Sequence, residues 1–204
     1  MKGVAVLAVE RGPADNAVVR RSLDEPEAFT ELFDRYADEV HRYAARRLGS
    51  TAADDVMAEA FTVAFARRGR FDLSRPDARP WLLGIATNLI RGHRRTELRR
   101  WRAMARAAAA GGEEPEAERV AARLTAQAVR RELAAALALL SPDQRDALLL
   151  YAWAELDYQE IAEALDIPIG TVRSRLHRAR GVLREALAAT GLQQNQPGEA
   201  RWTS

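Results

Sequence analysis

Apolar residues recur at helical spacing along most of the 204-residue chain, and no alternating pattern of useful length for a β-strand occurs. The first stripe consists of Phe29, Leu32, Phe33, Tyr36, Val40, Tyr43 and Leu48. Asp24 and Glu27 have the spacing of a capping box, so we expect this helix to begin near Asp24 and to stop at Gly49. Residues 1–22 lack sustained periodicity and are predicted to form a flexible leader.

A second helix is predicted to follow Ser50, with Thr51 and Asp54 at its cap. Its apolar side comprises Val56, Ala60, Phe61, Ala64 and Phe65. Residues 67–79 contain many helix breakers, and we expect a loop there.

A third helix begins after Pro80 with the sequence WLLGIATNLI, in which Trp81 and Ile85 fall on an inward stripe. Trp81 is therefore predicted to belong to the core. The helix is expected to continue without a break into RGHRRTELRR, which contains several arginines and a single acid, Glu97. Such a basic patch attracts phosphates locally, although the formal net charge of the whole chain is only +2.

The composition changes in the middle of the chain. Alanines, Gly111-Gly112 and Glu-Pro-Glu predict a linker over residues 101–118. Beyond it we expect a helical stretch near residues 121–140, then a helix capped by Ser141 with proline at its first position. The predicted fold is all-α, with two small helical domains, 23–100 and 119–189, joined by the linker and followed by a disordered tail, 190–204.

The second domain ends in a predicted helix-turn-helix. Asp157 and Glu160 form a capping box for a helix from Tyr158 to Leu165, and Asp166-Ile167-Pro168 breaks it. In the next helix the inward stripe is Val172, Leu176, Ala179 and Leu183. The outward side carries Arg173, Ser174, His177, Arg178 and Arg184, with Arg175 and Arg180 at its margins. This pattern favours DNA binding over a helical hairpin with a solvated arginine face.

Several classes of function are excluded or disfavoured by composition. The chain has no cysteine, no apolar run long enough to span a membrane and no secretory signal, so we expect a cytoplasmic protein. His41, His93 and His177 are isolated from one another, and no glycine-rich phosphate loop or nucleophile motif is present. We therefore expect no enzymatic activity, no cofactor and no metal site.

Three segments together carry a resemblance to a known family. AADDVMAEAFTVAF, RPWLLGIATNLIRGHRR and LSPDQRDALLLYAWAELDYQEIAEALDIPIGTVRSRLHRAR are similar to the polymerase-binding, minus-ten and minus-thirty-five segments of bacterial RNA polymerase sigma factors of the small extracytoplasmic-function type. The similarity extends from Asp24 to Leu187, and GTVRSRLHRAR is its most specific part. The domains 23–100 and 119–189 would correspond to sigma region 2 and sigma region 4.

The resemblance implies roles for three sets of residues. Core RNA polymerase would be contacted by Asp54, Asp55 and Glu59. The minus-ten element would be melted and recognised by Phe71, Asn88, Arg91, Arg94 and Arg95, with a flipped base held by the loop that begins at Phe71. The minus-thirty-five duplex would be contacted by Thr171, Arg173, Ser174, His177, Arg178 and Arg180.

The implied partners are core RNA polymerase, promoter DNA as duplex and as melted strand, and an anti-sigma protein that would hold the chain inactive. An alternative hypothesis is a stand-alone helix-turn-helix regulator whose first domain binds a ligand or dimerises. The two hypotheses differ in one observable property. A sigma factor directs transcription with core polymerase, whereas a regulator binds duplex DNA tightly on its own.

Overall fold

The computed structural model describes residues 13–107 and 129–188 of the chain. The first module contains the helices α1 (Asp15–Arg21), α2 (Thr30–Leu48), α3 (Ser50–Arg67), α4 (Arg79–Gly92) and α5 (Arg94–Ala107). The second module contains α6 (129–139), α7 (Pro142–Trp153), α8 (Tyr158–Leu165) and α9 (Ile169–Ala188). No strand occurs among the described residues, and the predicted all-α fold with two helical units is confirmed.

The end of the predicted flexible leader is helical. α1 occupies Asp15–Arg21, and its side chains Val18 and Val19 are completely buried. Burying each of these side chains contributes roughly 1.5–3 kcal/mol, which is enough to fix a helix of two turns on its neighbours. The leader prediction is therefore wrong for α1, while residues 1–12 lie outside the described part of the chain.

The first module is built around α2, α3 and α4, which pack against one another in pairs. Their shared core includes Leu32, Val40, Val56, Phe61 and Leu82, each at most 6% exposed. Periodicity predicted the α2 and α3 members of this core correctly, because each of these side chains falls on the inward stripe of its helix. Phe33 and Phe65 also fall on those stripes, but they lie at the edge of the core, where they are 42% and 38% exposed.

The caps predicted for α2 and α3 do not form. A 3₁₀ turn, Pro26–Phe29, precedes α2, and α2 has no side-chain cap hydrogen bond at its first residue. The proline supplies no backbone N–H, so the chain enters the helix through this tighter turn. α3 begins directly after Gly49, whose φ of 98° reverses the chain between the two helices, and Thr51 caps nothing.

A break separates α4 from α5, where one continuous helix was predicted. The His93 N–H donates to the Ile90 carbonyl at 2.8 Å, and His93 then accepts the first hydrogen bonds of α5. The change of direction carries α5 toward α2 and buries Trp101. Residues 101–107 are therefore helical and not linker, whereas residues 108–118 lie outside the described residues.

The caps predicted for the second module are present. Ser141 accepts from the Gln144 N–H, Asp157 accepts from the Glu160 N–H, and both capping boxes are complete. Asp166 ends α8 in the left-handed conformation, with φ 52° and ψ 53°. Aspartate tolerates this conformation better than most residues because its short polar side chain can hydrogen-bond locally, and the predicted break before Pro168 is present.

The two modules pack against each other in what we call the closed arrangement. α4 of the first module lies against α8, with a smaller contact to α7. The indole rings of Trp101 and Trp153 lie 5.7 Å apart across the boundary, and the Arg79 guanidinium donates to the Ala154 carbonyl.

Candidate functional surfaces

The outward face of α9 carries most of the residues predicted to contact duplex DNA. Val172, Leu176 and Ala179 are completely buried, which turns the opposite side of α9 toward solvent. That side presents four exposed side chains that line one open depression: Arg173, Ser174, His177 and Arg178. Thr171 is half-buried at its edge. Hydrogen-bond donors suited to base edges and phosphates therefore share one surface.

Two further arginines of α9 are held by their own module. The Arg180 guanidinium donates to the Tyr158 hydroxyl at 3.1 Å and lies 5.3 Å from the centre of the Tyr151 ring. The Arg175 guanidinium donates to Asp143 at 2.9 Å. In this arrangement both charges help to fix α9 on α7 and α8.

The three acids predicted to contact polymerase share the exposed side of α3. Asp54, Asp55 and Glu59 are all exposed, and Asp55 and Glu59 are one helical turn apart. Oδ1 of Asp54 lies 3.1 Å from Nε2 of His41 on α2. The buried Val56 and neighbouring apolar side chains hold the other side of α3, so the acids form a negative face on a rigid support.

Phe71 and Asn88 line a cleft of about 920 Å³ between the two modules. Phe71 is only 7% exposed, because its ring packs 5.1 Å from the ring of the half-buried Trp81. Asn88 is exposed on α4. The opposite wall of the cleft belongs to the second module and includes Glu163 and Pro168. The helix-turn-helix therefore faces the residues predicted to hold the melted strand.

The loop after Phe71 is shaped by its own hydrogen bonds. The Asp72 carboxylate accepts from the Ser74 backbone N–H at 3.0 Å and from the Ser74 hydroxyl at 2.7 Å. These hydrogen bonds from Ser74 lower the pKa of Asp72, so its carboxylate is ionised at neutral pH and keeps the turn closed.

The three arginines predicted to grip the melted strand differ in their surroundings. Arg94 and Arg95 are exposed at the start of α5. Arg91 instead donates through Nε to Asp146 at 2.8 Å and lies 3.4 Å from Asp143, and both of these acids are on α7. The closed arrangement thus occupies Arg91 with carboxylates of the second module.

A cluster of buried charges crosses the boundary between the modules; we call it the buried ion cluster. Its members are Arg47, Glu97, Arg145 and Asp146, each at most 3% exposed. Arg47 donates to Glu97 and to Asp146, both at 2.6 Å. Arg145 on α7 donates to Glu97 at 3.2 Å. Every charge in the cluster therefore has an opposite partner.

The protonation of the buried arginines follows from their surroundings. Burial alone disfavours the charged form of Arg47, but Tyr43, Asp146 and Glu97 together raise its pKa above the ordinary value. Burial lowers the pKa of Arg145, which Glu97 partly offsets. Because arginine is so strongly basic, both side chains remain cations at neutral pH.

Gly84 sets the distance between α4 and α8. A Cβ atom at this position would lie 2.1 Å from the carbonyl oxygen of Ala164. Glycine in the middle of a helix costs about 1 kcal/mol relative to alanine, and here it permits the backbones of two helices to touch.

Residues 13–107 and 129–188 contain no group of three or more His, Cys, Asp or Glu side chains that could hold a metal ion. None of the described helices is long and apolar enough to cross a membrane.

The two modules match two family models in chain order. Residues 32–101 match Sigma-70 region 2, and residues 130–183 match Sigma-70, region 4. The fold and the exposed surfaces therefore define a sigma factor of the sigma-70 class. Its two matched regions are the first module from α2 onward and nearly the whole second module.

The chain is also similar to individual proteins along most of its length. It is 33% identical over 170 residues to the ECF RNA polymerase sigma factor SigW of Bacillus subtilis. The aligned residues cover 80% of this chain and 90% of SigW. The chain belongs to the extracytoplasmic-function (ECF) sigma factors of bacterial RNA polymerase. It is accordingly a factor that binds core RNA polymerase and directs promoter-specific initiation, and the stand-alone regulator hypothesis is not favoured.

Two solved structures share the fold. CnrH in complex with the cytosolic domain of CnrY matches with a TM-score of 0.60 and 23% identity, over 86% of this chain and 97% of CnrH. The sigma factor RpoE of Bartonella quintana, in complex with the anti-sigma factor NepR, matches with a TM-score of 0.52 and 22% identity, over 78% of this chain and 96% of RpoE.

The buried ion cluster was not predicted from the sequence. One signal was available, because Arg47 lies four residues after Tyr43 and seven after Val40, on the apolar stripe of α2. A charged residue at a core position requires a buried partner. Glu97, the single acid of the arginine-rich segment, was the second signal.

Proposed function

We propose that the three surfaces contact different parts of the transcription machinery. The exposed face of α9 binds the upstream promoter duplex, the acidic face of α3 binds core polymerase, and the cleft beside Phe71 and Asn88 takes the melted strand. The observation that carries this proposal is the α9 face, where a buried apolar stripe holds Arg173 and His177 outward on the second helix of a helix-turn-helix.

We further propose that promoter opening requires the two modules to separate. In the closed arrangement α8 stands opposite Phe71 and Asn88, and Arg91 is paired with Asp143 and Asp146. A DNA strand entering the cleft would compete with α8 for the same space, and its phosphates would compete with these carboxylates for Arg91. Separation removes both obstacles.

We also propose a cellular location and a further protein partner for the chain. The chain acts in the cytoplasm, where bacterial polymerase works, and contributes no catalytic activity of its own. An anti-sigma protein is an additional proposed partner, because the similar RpoE was solved with one. Co-expression with a candidate anti-sigma protein should suppress transcription that depends on this chain, and an unaltered level would contradict the pairing.

The experiment that tests the function is reconstitution with purified core polymerase. Transcription start sites obtained with the full chain should share two upstream sequence elements, and core polymerase alone should not use those sites. Tight binding of the isolated chain to a duplex, without any polymerase-dependent initiation, would instead indicate a stand-alone regulator.

Arg173→Ala is expected to lower transcription and to relax preference at one position of the upstream element. A bidentate arginine–guanine contact contributes roughly 1–3 kcal/mol of discrimination, so the advantage of the preferred base should fall by about 5- to 150-fold. Competition among templates that differ at single positions measures this effect.

Arg94→Ala provides the contrasting variant. A phosphate contact contributes affinity without sequence information, so this change should weaken DNA engagement uniformly and reduce its salt dependence. If Arg173→Ala left every base preference intact, the assignment of the α9 face would be wrong.

Reversal of charge on α3 is expected to impair binding to core polymerase. Asp55→Arg together with Glu59→Arg places two positive charges on the face proposed to meet a basic surface, and like charges at an interface cost several kcal/mol. Affinity for purified core polymerase should fall at least tenfold, whereas binding to duplex DNA should not weaken, because the added positive charge favours phosphates.

Glu25→Arg is the control for charge reversal. Glu25 is exposed before the 3₁₀ turn and away from α3 in the chain, so reversing its charge should leave polymerase affinity nearly unaltered. A loss of binding free energy half as large as that of the α3 variant would show that polymerase senses only net charge, because the α3 variant reverses two charges and this control reverses one.

A further inference from the structure

The amino-terminal end of α1 is bonded directly to the loop formed by residues 71–78. The Asp15 backbone N–H donates to the Pro76 carbonyl at 3.1 Å. The Asn16 side-chain amide donates to the Leu73 carbonyl at 3.1 Å. Both acceptors are backbone oxygens, so these bonds fix the path of the loop whatever side chains it carries.

The Asp15 carboxylate adds a third link to the end of the same loop. One of its oxygens accepts from the Ala78 backbone N–H at 2.9 Å and from the Tyr36 hydroxyl at 2.6 Å. The other accepts from the Arg35 guanidinium at 2.6 Å. Asp15 is only 5% exposed, and one buried carboxylate therefore ties the loop to α2 as well as to α1.

Tyr36 and Asp77 complete the surroundings of this carboxylate. Burial raises the pKa of Tyr36, as does the neighbouring Asp15 carboxylate, so the hydroxyl keeps its proton and serves as a donor. Burial also raises the pKa of Asp77, although its carboxylate accepts from the Arg79 N–H at 2.7 Å. The loop thus ends in a network of short polar contacts.

Residues other than Asp15 and Asn16 also hold α1 to the first module. The packing of α1 therefore does not depend only on its contacts to the loop. Val18 and Val19 are completely buried, and the Ser22 carbonyl accepts from the Arg68 guanidinium at 3.1 Å. The half-buried Asn16 is not needed for this packing. Its side-chain amide donates to the Leu73 carbonyl of the loop.

We infer that Asp15 and Asn16 are positioning residues that hold the 71–78 loop in the shape needed to capture a base of the melted promoter strand. The inference rests on the function proposed for the cleft beside Phe71 and Asn88. Extruding a base costs a few kcal/mol, and a loop that must reorder on contact would offset less of that cost. Neither positioning residue lies within the matched region 2 segment, which begins at residue 32.

The test uses the full chain with core polymerase and a promoter library varied at each position of the downstream element. Asn16→Asp keeps the shape of the side chain but replaces the donor that faces the Leu73 carbonyl with an acceptor. We expect the preference for the best downstream base to fall about two- to tenfold, the range of one net hydrogen bond. Preference at the upstream element should stay unchanged, and the thermal midpoint should fall by only about a few degrees, the shift expected for one hydrogen bond.

A graded series at Asp15 gives a second measurement. Asp15→Asn retains one carbonyl oxygen as an acceptor, whereas Asp15→Ala retains none, so the loss of preference should be smaller for the first. If Asp15→Ala fails to fold, Asn16→Asp decides the question. The control is Arg21→Ala, which removes a surface ion pair with Glu31 from the same helix without touching the loop.

The outcomes separate this inference from the proposed function of the cleft. Asn88→Ala is expected to flatten downstream preference through loss of a direct contact. If Asn88→Ala does so while Asn16→Asp and both Asp15 variants keep the wild-type preference, the positioning role is overturned and the function of the cleft stands. If Asn88→Ala also has no effect, both are overturned. Lower activity with an unaltered preference ratio indicates a merely structural role and overturns the positioning role.

Discussion

Asp146→Ala is expected to shift the chain from the closed arrangement to one in which the two modules are apart. Asp146 is completely buried and contacts both Arg47 and Arg91 across the boundary. Removing it leaves the buried Arg47 guanidinium with Glu97 as its remaining acidic partner in the cluster. Removing one partner of a buried ion pair costs roughly 3–5 kcal/mol. Separation of the modules relieves this cost because the guanidinium then reaches water.

The absence of cysteine makes the measurement direct. A T62C/E185C pair, one site on α3 and one on α9, can carry two labels without competing thiols, since the chain has no cysteine of its own. In the labelled chain Asp146→Ala should lengthen the distance between the labels, with helical content unchanged.

Asp143→Ala is the matched control for this change. Asp143 lies one turn earlier on α7, is about half exposed and pairs with Arg91 and Arg175. Exposed ion pairs contribute about 0–1 kcal/mol, so the label distance should change little. A fall in thermal midpoint with no change in distance for Asp146→Ala would mean that the buried ion cluster stabilises folding without controlling closure.

Local chemistry explains which parts of the fold the sequence predicted. α7 and α8 each begin after a serine or aspartate that is followed three residues later by glutamine or glutamate. These caps involve only neighbouring residues. Asp166 and Pro168 end α8 for equally local reasons. The α9 face was predictable because burial of a helical stripe dictates what lies opposite it.

The failures arise where tertiary contacts decide between local options. Asp24 and Glu27 have capping-box spacing, but the chain forms a 3₁₀ turn there that packs Phe29 into the core. Likewise α1 is too short to be stable alone, and its burial against the first module makes it helical. A pattern within one segment carries no information about such contacts.

The candidate functional surfaces likewise combine features that the local sequence predicts with features that tertiary contacts decide. The exposure of Asp55 and Arg173 follows from their helices and was predictable. The burial of Phe71 by Trp81 depends on how the loop between them folds, and the pairing of Arg91 with Asp146 on α7 joins residues 55 positions apart. Arg47 and Asp146, for instance, are separated by 99 positions. Their contact exists only in the closed arrangement, which no helical period encodes.

Gly84→Ala is expected to abolish the contact between α4 and α8 while stabilising α4 itself. The added Cβ would lie 2.1 Å from the Ala164 oxygen and 2.9 Å from its carbonyl carbon. These are backbone atoms of α8, so no side-chain rotation can relieve the overlap and the whole helix must withdraw. Within α4, replacing glycine by alanine contributes about 1 kcal/mol of helix stability.

Gly92→Ala is the matched control, because it makes the same substitution near the end of the same helix. No atom lies within 4 Å of a Cβ placed at Gly92. Both variants change helix propensity in the same direction, but only Gly84→Ala should lengthen the T62C/E185C label distance. An unchanged distance with Gly84→Ala would show that α8 does not rest on α4 in the free chain.

The same pair of variants tests whether the closed arrangement limits access to DNA. Gly84→Ala withdraws α8 from the wall opposite Phe71 and Asn88 and leaves every charged residue of the cleft in place. A single-stranded oligonucleotide carrying the minus-ten sequence should therefore bind the isolated variant more tightly than the wild type, whereas Gly92→Ala should bind as the wild type does. Agreement between Gly84→Ala and Asp146→Ala would be informative, because one acts by steric overlap and the other by charge. Their shared effect could then be assigned to separation of the modules and not to altered electrostatics in the cleft.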